Sequence, residues 1–231
     1  MCFSPEADLV GAVAVGVVGV DALRQVRDKR DLPLAAVPVL FATHFFVETF
    51  VWWGLDGEVP WSTGHRAAWL YLFIALVVVP AAVPLAVMLA EPDARRRRGM
   101  AALTGVGFGL ALVFFHALVQ HPISARVEDH CIRYTAQLDG GGRLTALYVV
   151  VVCGVLLLSS ARRIVAFGVV NLVVVIGLAW LMNHAFISLW CAWAAITSVL
   201  IDLHLRRKHA DPAPPPPAAV EPREPARPLR A

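Results

Sequence analysis

The chain has 231 residues, of which 58% are hydrophobic and 16% charged, with a formal net charge of +3. Average soluble domains are about 45–50% apolar and about 25% charged, and neither one large domain nor two small ones could hide this apolar surface from water. The composition therefore excludes an ordinary soluble fold, and a charge of +3 is too small to argue for nucleic acid.

Seven apolar segments approach or meet the roughly 17–25 residues that a bilayer-spanning helix needs. They are Ala7–Leu23, Leu34–Leu55, Ala67–Leu89, Met100–Val119, Leu144–Leu158, Ile164–Leu181 and Ala185–Leu205. The first is the shortest in its core, because Asp8 and Asp21 leave only Leu9–Val20 free of charge. It does not resemble a cleaved secretory signal, whose leading residues are basic. Here Met1–Asp8 is acidic, and Arg24, Arg27, Lys29 and Arg30 follow the apolar run.

Lys and Arg are retained on the cytoplasmic side of a membrane. With the N-terminus outside, sixteen of the twenty basic residues fall inside, among them Arg95–Arg98, and four fall outside: Arg66, Arg126, Arg133 and Arg143. The expected fold is thus all-α: a polytopic bundle of seven transmembrane helices, N-out and C-in, over residues 1–206. Six spans with a non-crossing first helix is the alternative. Pro80 and Pro84 should kink the third helix. Gly11, Gly16 and Gly19 in the first helix, and Gly105, Gly107 and Gly109 in the fourth, read as close-packing positions.

The outer loop from Gln120 to Arg143 is too long for a plain turn. Its alternation from Ser124 to Tyr134 predicts a small hairpin turning near Asp129, followed by a flexible Gly140–Gly142 stretch. The tail, 207–231, is rich in Pro and Ala and predicts disorder. High Ala and Val usage, with only two Lys among the basic residues, points to a GC-rich bacterial source and an inner-membrane location.

Ionisable residues inside a membrane are costly and mark functional sites by default. His44 and Glu48 are four apart and share one helix face, within reach of a direct hydrogen bond. Trp52 continues that face, and an aromatic wall beside a carboxylate suits a cationic or amphipathic ligand. His116 ends the fourth helix on the same side, His184 and Cys191 lie at the turn into the seventh, and Cys2, Glu6 and Asp8 join them from the N-terminus. The expectation is an outward-facing pocket of Glu48, His44, Trp52, His116, His184, Cys191, Cys2 and Glu6, with the hairpin as its cap and His121 and His130 nearby. All seven Trp map to this outer half, most of them as an interfacial belt.

The leading functional reading is binding or sensing of a small ligand without chemistry. An intramembrane metal-dependent hydrolase is the first rival, using zinc on His44, His116 and His184, although no HExxH, HxxxH or CxxC spacing is present. Haem on two of these histidines, a small-solute transporter and a membrane assembly partner complete the alternatives; no cofactor is required by the sequence. Cys153 reads as a small apolar core residue. Cys2, Cys131 and Cys191 lie towards the oxidising side, and spacing does not choose among their pairings, Cys2–Cys131 included. On the seventh helix Ser188, Cys191, Ala195, Ser198 and Asp202 line one face for packing, and Asp202 can pair with Arg206.

The opening Met1-Cys2-Phe3-Ser4-Pro5-Glu6-Ala7 resembles that of a family of uncharacterised bacterial multi-pass membrane proteins, which begin Met-Cys-Phe-Ser or Met-Cys-Trp-Ser. Further similarity falls at Leu32–Pro38, at Glu48 followed by Val51-Trp52, at Arg163–Gly168 and at Ser188-Leu-Trp-Cys191-Ala. The resemblance covers residues 1 to about 205 and implies a multi-helix membrane protein with no assigned activity. It places Cys2, Glu6, Glu48 and Cys191 in one shared pattern. His44 departs from it, since some relatives carry Gln there.

Overall fold

The computed structural model describes residues 4–128, 131–136, 140–181, 193, 195 and 199–210, with side chains other than those of 179–181 and 207–210. The described chain is mostly helical. Its helices are α1 (Pro5–Arg24), α2 (Leu32–Asp56), α3 (Trp61–Phe73), α4 (Val79–Ala90), α5 (Ala94–Gln120), α6 (Gly141–Leu157), α7 (Arg162–Leu181) and α8 (Val199–Ala210). A π turn, Ile74–Val78, makes α3 and α4 one continuous run.

Three stretches are long and apolar enough to cross a membrane: Lys29–Asp56, Trp61–Ala90 and Ala94–Gln120. Each reaches beyond the corresponding apolar segment in the sequence. At α5, Asp93 accepts from the amides of Arg95 and Arg96 at 2.7 and 3.3 Å, starting the helix in the basic run. The first, fifth and sixth apolar segments are helical as α1, α6 and α7. The seventh is described only in part. α8 continues to Ala210, past the expected boundary of the tail at residue 207. Residues 211–231 lie outside the described residues.

Pro80 acts through the π turn. In this turn the Val79 amide bonds to Ile74 O, five residues back. The same register would pair Ala75 O with residue 80, but Pro80 has no N–H. Tyr148 of α6 supplies the missing bond, donating to Ala75 O at 2.8 Å. Pro84 likewise leaves Pro80 O without its helical donor, and α5 approaches that carbonyl so closely that a Cβ on Gly107 would lie 2.1 Å from it. Backbone carbonyls in a bilayer must find partners within the protein. Of the three glycines in this part of α5, only Gly107 lies at the contact; Gly105 and Gly109 have nothing within 4 Å of their Cβ positions. In α1, Gly19 faces Val39, whose Cγ2 would be 2.7 Å from an added Cβ, so α1 and α2 pack closely there.

Between α5 and α6 the chain forms an antiparallel hairpin, β1 (Ile123–Glu128) and β2 (Cys131–Ala136). The register runs from Ile123 opposite Ala136 to Glu128 opposite Cys131. Buried Ile123 and Ile132 pack with Val51 and Trp52 of α2, Ala68 and Leu72 of α3, and Leu118 of α5. The hairpin is therefore seated on the helix ends. Gly140 takes a left-handed conformation (φ 71°), and Gly141 and Gly142 open α6, so the expected flexible glycine stretch is in fact the entry to a helix.

At the opposite end, Glu91 joins the α4–α5 turn to the α6–α7 turn. Its carboxylate accepts from Ser159 Oγ at 3.1 Å, the Ser160 amide at 2.8 Å and the Asp93 amide at 3.1 Å. Arg96 caps the end of α6, donating to Leu158 O and Ser159 O at 3.0 and 3.1 Å. Arg206 links α8 to α1 through Asp202 (2.8 Å) and Asp21. Asp202 and Ala195 are both buried, as packing on one face of the seventh segment requires, while Ser188, Cys191 and Ser198 lie outside the described residues.

Candidate functional site

The face of α2 that carries His44, Glu48 and Trp52 points inward: their exposures are 2%, 1% and 5%. Helical spacing puts them in line, and the neighbouring elements determine what each one meets. From α3, Tyr71 lies flat on the His44 ring, with centroids 3.8 Å apart and planes at 20°. From β2, Tyr134 stacks on the other side of Tyr71, at 4.4 Å and 13°. The three rings form a ladder from the bundle interior to the hairpin. The Tyr134 hydroxyl then turns back to donate to Glu48 Oε1 at 3.4 Å.

α1 adds a second carboxylate. Asp8 is fully buried, within electrostatic range of Glu48 and facing the Trp52 side chain. The site is thus two acidic groups held against an indole and two phenol rings, with an imidazole at the inner end of the stack. A cleft of about 150 Å³ lies immediately outside it, lined by Val51, Gly54, Trp61, Gly64, His65 and Ile123 among others. At its rim the Trp61 ring stacks on His65, at 4.8 Å and 14°. α2 and α3 approach through facing Gly54 and Gly64, where a Cβ on either would fall within 2.4 or 2.6 Å of the other's Cα.

Several expected members are placed elsewhere. His44 and Glu48 do not bond each other: neither His44 ring nitrogen has a hydrogen-bond partner among the described residues, and the ring lies stacked on Tyr71. His116 is exposed on α5, whose buried stripe instead includes Ala111, Phe114 and Leu118. Glu6 is exposed in the first turn of α1, two residues before Asp8, which turns inward. His184, Cys191, Cys2 and His130 lie outside the described residues. Among the described residues no three His, Cys, Asp or Glu side chains converge to hold a metal ion. Cys153 is free and buried, accepting from Asn171 Nδ2 at 3.3 Å. Cys131 is disulfide-bonded, to a cysteine outside the described residues.

Tyr71 and Tyr134 are members that sequence reasoning missed, and Asp8 was brought to this end of the molecule but not into the pocket. Asp8 carried a signal, an acid one turn into an apolar helix. The tyrosines carried none, since an aromatic residue in an apolar segment or a hairpin has many uses. The tryptophans also divide. Trp61, at 74% exposure, suits an interfacial belt. Trp52 is a wall of the buried site, and Trp69 donates to Leu118 O at 3.4 Å, tying α3 to the end of α5.

The fold and this site define a helical protein with membrane-length apolar helices and a buried acidic and aromatic cluster beneath a small hairpin. A model of a family of unknown function, DUF6629, matches residues 1–215, and the chain belongs to that family. Neither the curated proteins nor the solved structures contain a match to it.

Proposed function

We propose that the chain is a seven-helix protein of a bacterial cytoplasmic membrane, N-out and C-in, that binds a small organic ammonium compound beneath its outer hairpin. The observation that carries this reading is the meeting of Asp8 and Glu48 with Trp52, Tyr71 and Tyr134 in one buried place. Carboxylates compensate an ammonium charge, and a desolvated aromatic face adds about 2 kcal/mol per cation–π contact; Trp52 is the ring for that contact, since His44 and Tyr134 cover the two faces of Tyr71. The hairpin is the cover, since Tyr134 touches both the ring stack and the carboxylate. The cleft beside β1 is the approach, one helical turn outward of Glu48 on α2.

Topology is supported by the partition of basic residues, sixteen to four, across the proposed membrane. The disulfide at Cys131 agrees with it, because such bonds persist on the oxidising side. Binding is favoured over hydrolysis because the groups brought together are an acid pair and aromatic rings, with no histidine cluster among the described residues.

Choline is a suitable probe. In lipid nanodiscs, choline should raise the melting temperature of the wild-type chain, as any ligand of the folded state does. Glu48→Gln should fold and lose that rise. A wild-type chain indifferent to choline, or a Glu48→Gln variant stabilised as strongly as wild type, would overturn the reading.

A further inference from the structure

A second feature lies at the other end of the bundle, far from Glu48. Where α4 turns into α5, a surface groove of about 550 Å³ is lined by Arg30, Arg97 and Arg98 together with Met88, Leu89, Ala94 and Ala101. The guanidinium groups come from two separate stretches, the turn before α2 and the first turn of α5. The four consecutive arginines here have different roles. Arg96 is committed to Asp93 and to the carbonyls that end α6. Arg30, Arg97 and Arg98 make no ion pair with any carboxylate among the described residues.

Their surroundings are half apolar. Met88 and Leu89 lie in the last turn of the apolar Trp61–Ala90 helix, which in the proposed topology is the level where hydrocarbon gives way to headgroups. Beyond it, α5 presents Val106, Phe108, Leu112, Val113 and Phe115 outward along its length. A ligand matching the groove has an anionic head for three guanidinium groups and an apolar body for the wall below. Arginine is the side chain suited to phosphate oxygens, through its planar fork of donors. Basic pockets between helices at the cytoplasmic face are where anionic phospholipid headgroups bind.

We infer that Arg30, Arg97 and Arg98 form a binding site for one anionic phospholipid, its phosphate on the guanidinium groups and an acyl chain along Met88, Leu89 and the outer side of α5. The site is independent of the ammonium site, and either can fail without the other. It would anchor the α4–α5 corner at the membrane surface.

The test uses the full chain in nanodiscs of phosphatidylcholine alone and of phosphatidylcholine mixed with phosphatidylglycerol. The readouts are lipid retention by native mass spectrometry and melting temperature. Wild type should retain one phosphatidylglycerol and melt higher in the mixed disc. The triple variant Arg30→Gln, Arg97→Gln, Arg98→Gln should bind it roughly a hundredfold more weakly, the combined effect of three surface cations. A charge-matched variant, Arg27→Gln, Lys29→Gln, Arg95→Gln, should behave as wild type. Three results would each overturn the site: equal loss in the charge-matched variant, which means diffuse attraction; equal retention of phosphatidylcholine; or the same stabilisation by inorganic phosphate in phosphatidylcholine discs, which means a free-anion site.

Discussion

Glu48 and Glu91 are buried almost equally, at 1% and 3% exposure, near opposite ends of the bundle, and their surroundings could hardly differ more. Glu91 sits among donors: a hydroxyl and two backbone amides converge on it from two turns. Burial alone would raise its pKa, but these hydrogen bonds outweigh that effect and hold it below the usual carboxylate range. Glu48 sits against a second acid, an indole and the tyrosine ladder. A carboxylate held by a hydroxyl and two amides from two turns is a structural fastener. Glu48, which accepts from the Tyr134 hydroxyl beside a second acid, is the group that the proposed function assigns to a cation.

The largest expected effect comes from breaking the fastener. Glu91→Gln should cost about 2 kcal/mol at neutral pH, since hydrogen bonds to a charged acceptor contribute about 1.5–3 kcal/mol and the amide cannot replace them all. It should leave choline stabilisation intact. The pH dependence has a definite sign. The folded-state pKa of Glu91 is depressed, so its contribution is full above the ordinary carboxylate value and is lost as pH falls through the lower folded value. The stability gap between wild type and Glu91→Gln should therefore shrink on acidification; a gap that widens would mean the carboxylate is not the stabilising form.

At the hairpin end a smaller loss is expected from Tyr134→Phe. It keeps the stack on Tyr71 and removes one long hydrogen bond to Glu48, costing about 1 kcal/mol. Amide exchange should speed up in β1 and β2 while the Glu91 turns stay protected. Uniform loosening of both ends would break the distinction between cover and fastener. The smallest effect belongs to His44→Phe. An imidazole with neither nitrogen bonded carries a desolvation cost that a phenyl ring does not. Thermal unfolding should show the variant unchanged or stabilised by up to about 1 kcal/mol. A clear loss of stability would mean that a ring nitrogen of His44 has a partner outside the described residues.

Much of the site beneath the hairpin was legible in the sequence as one face of one helix. A four-residue spacing places His44, Glu48 and Trp52 in line on α2 whatever they pack against. The fourth helix shows where such reasoning stops. His116 belongs to the right end of α5, but depth is only one of its coordinates. Rotation about the helix axis is set by which residues pack inward, and Phe114 and Leu118 do so, leaving His116 outside. The prolines show the same division. Pro80 and Pro84 announce missing amides, but the sequence does not say that a π turn absorbs one break, that Tyr148 donates to Ala75 O, or that α5 packs at Gly107 against Pro80 O.

The sequence by itself therefore determined what depends on neighbours along the chain: the apolar helices, the alternation that pairs as β1 and β2, and the shared face of α2. These follow from periodicity and from the requirement that a backbone in lipid satisfy its own hydrogen bonds. Only the tertiary structure decided that Asp8 rather than Glu6 turns inward, that Tyr71 and Tyr134 complete the ring ladder, and that Arg96 is committed while Arg97 and Arg98 are free of described ion pairs. Each of those outcomes depends on how one element is rotated and seated against another, and side chains far apart in sequence set that rotation by packing.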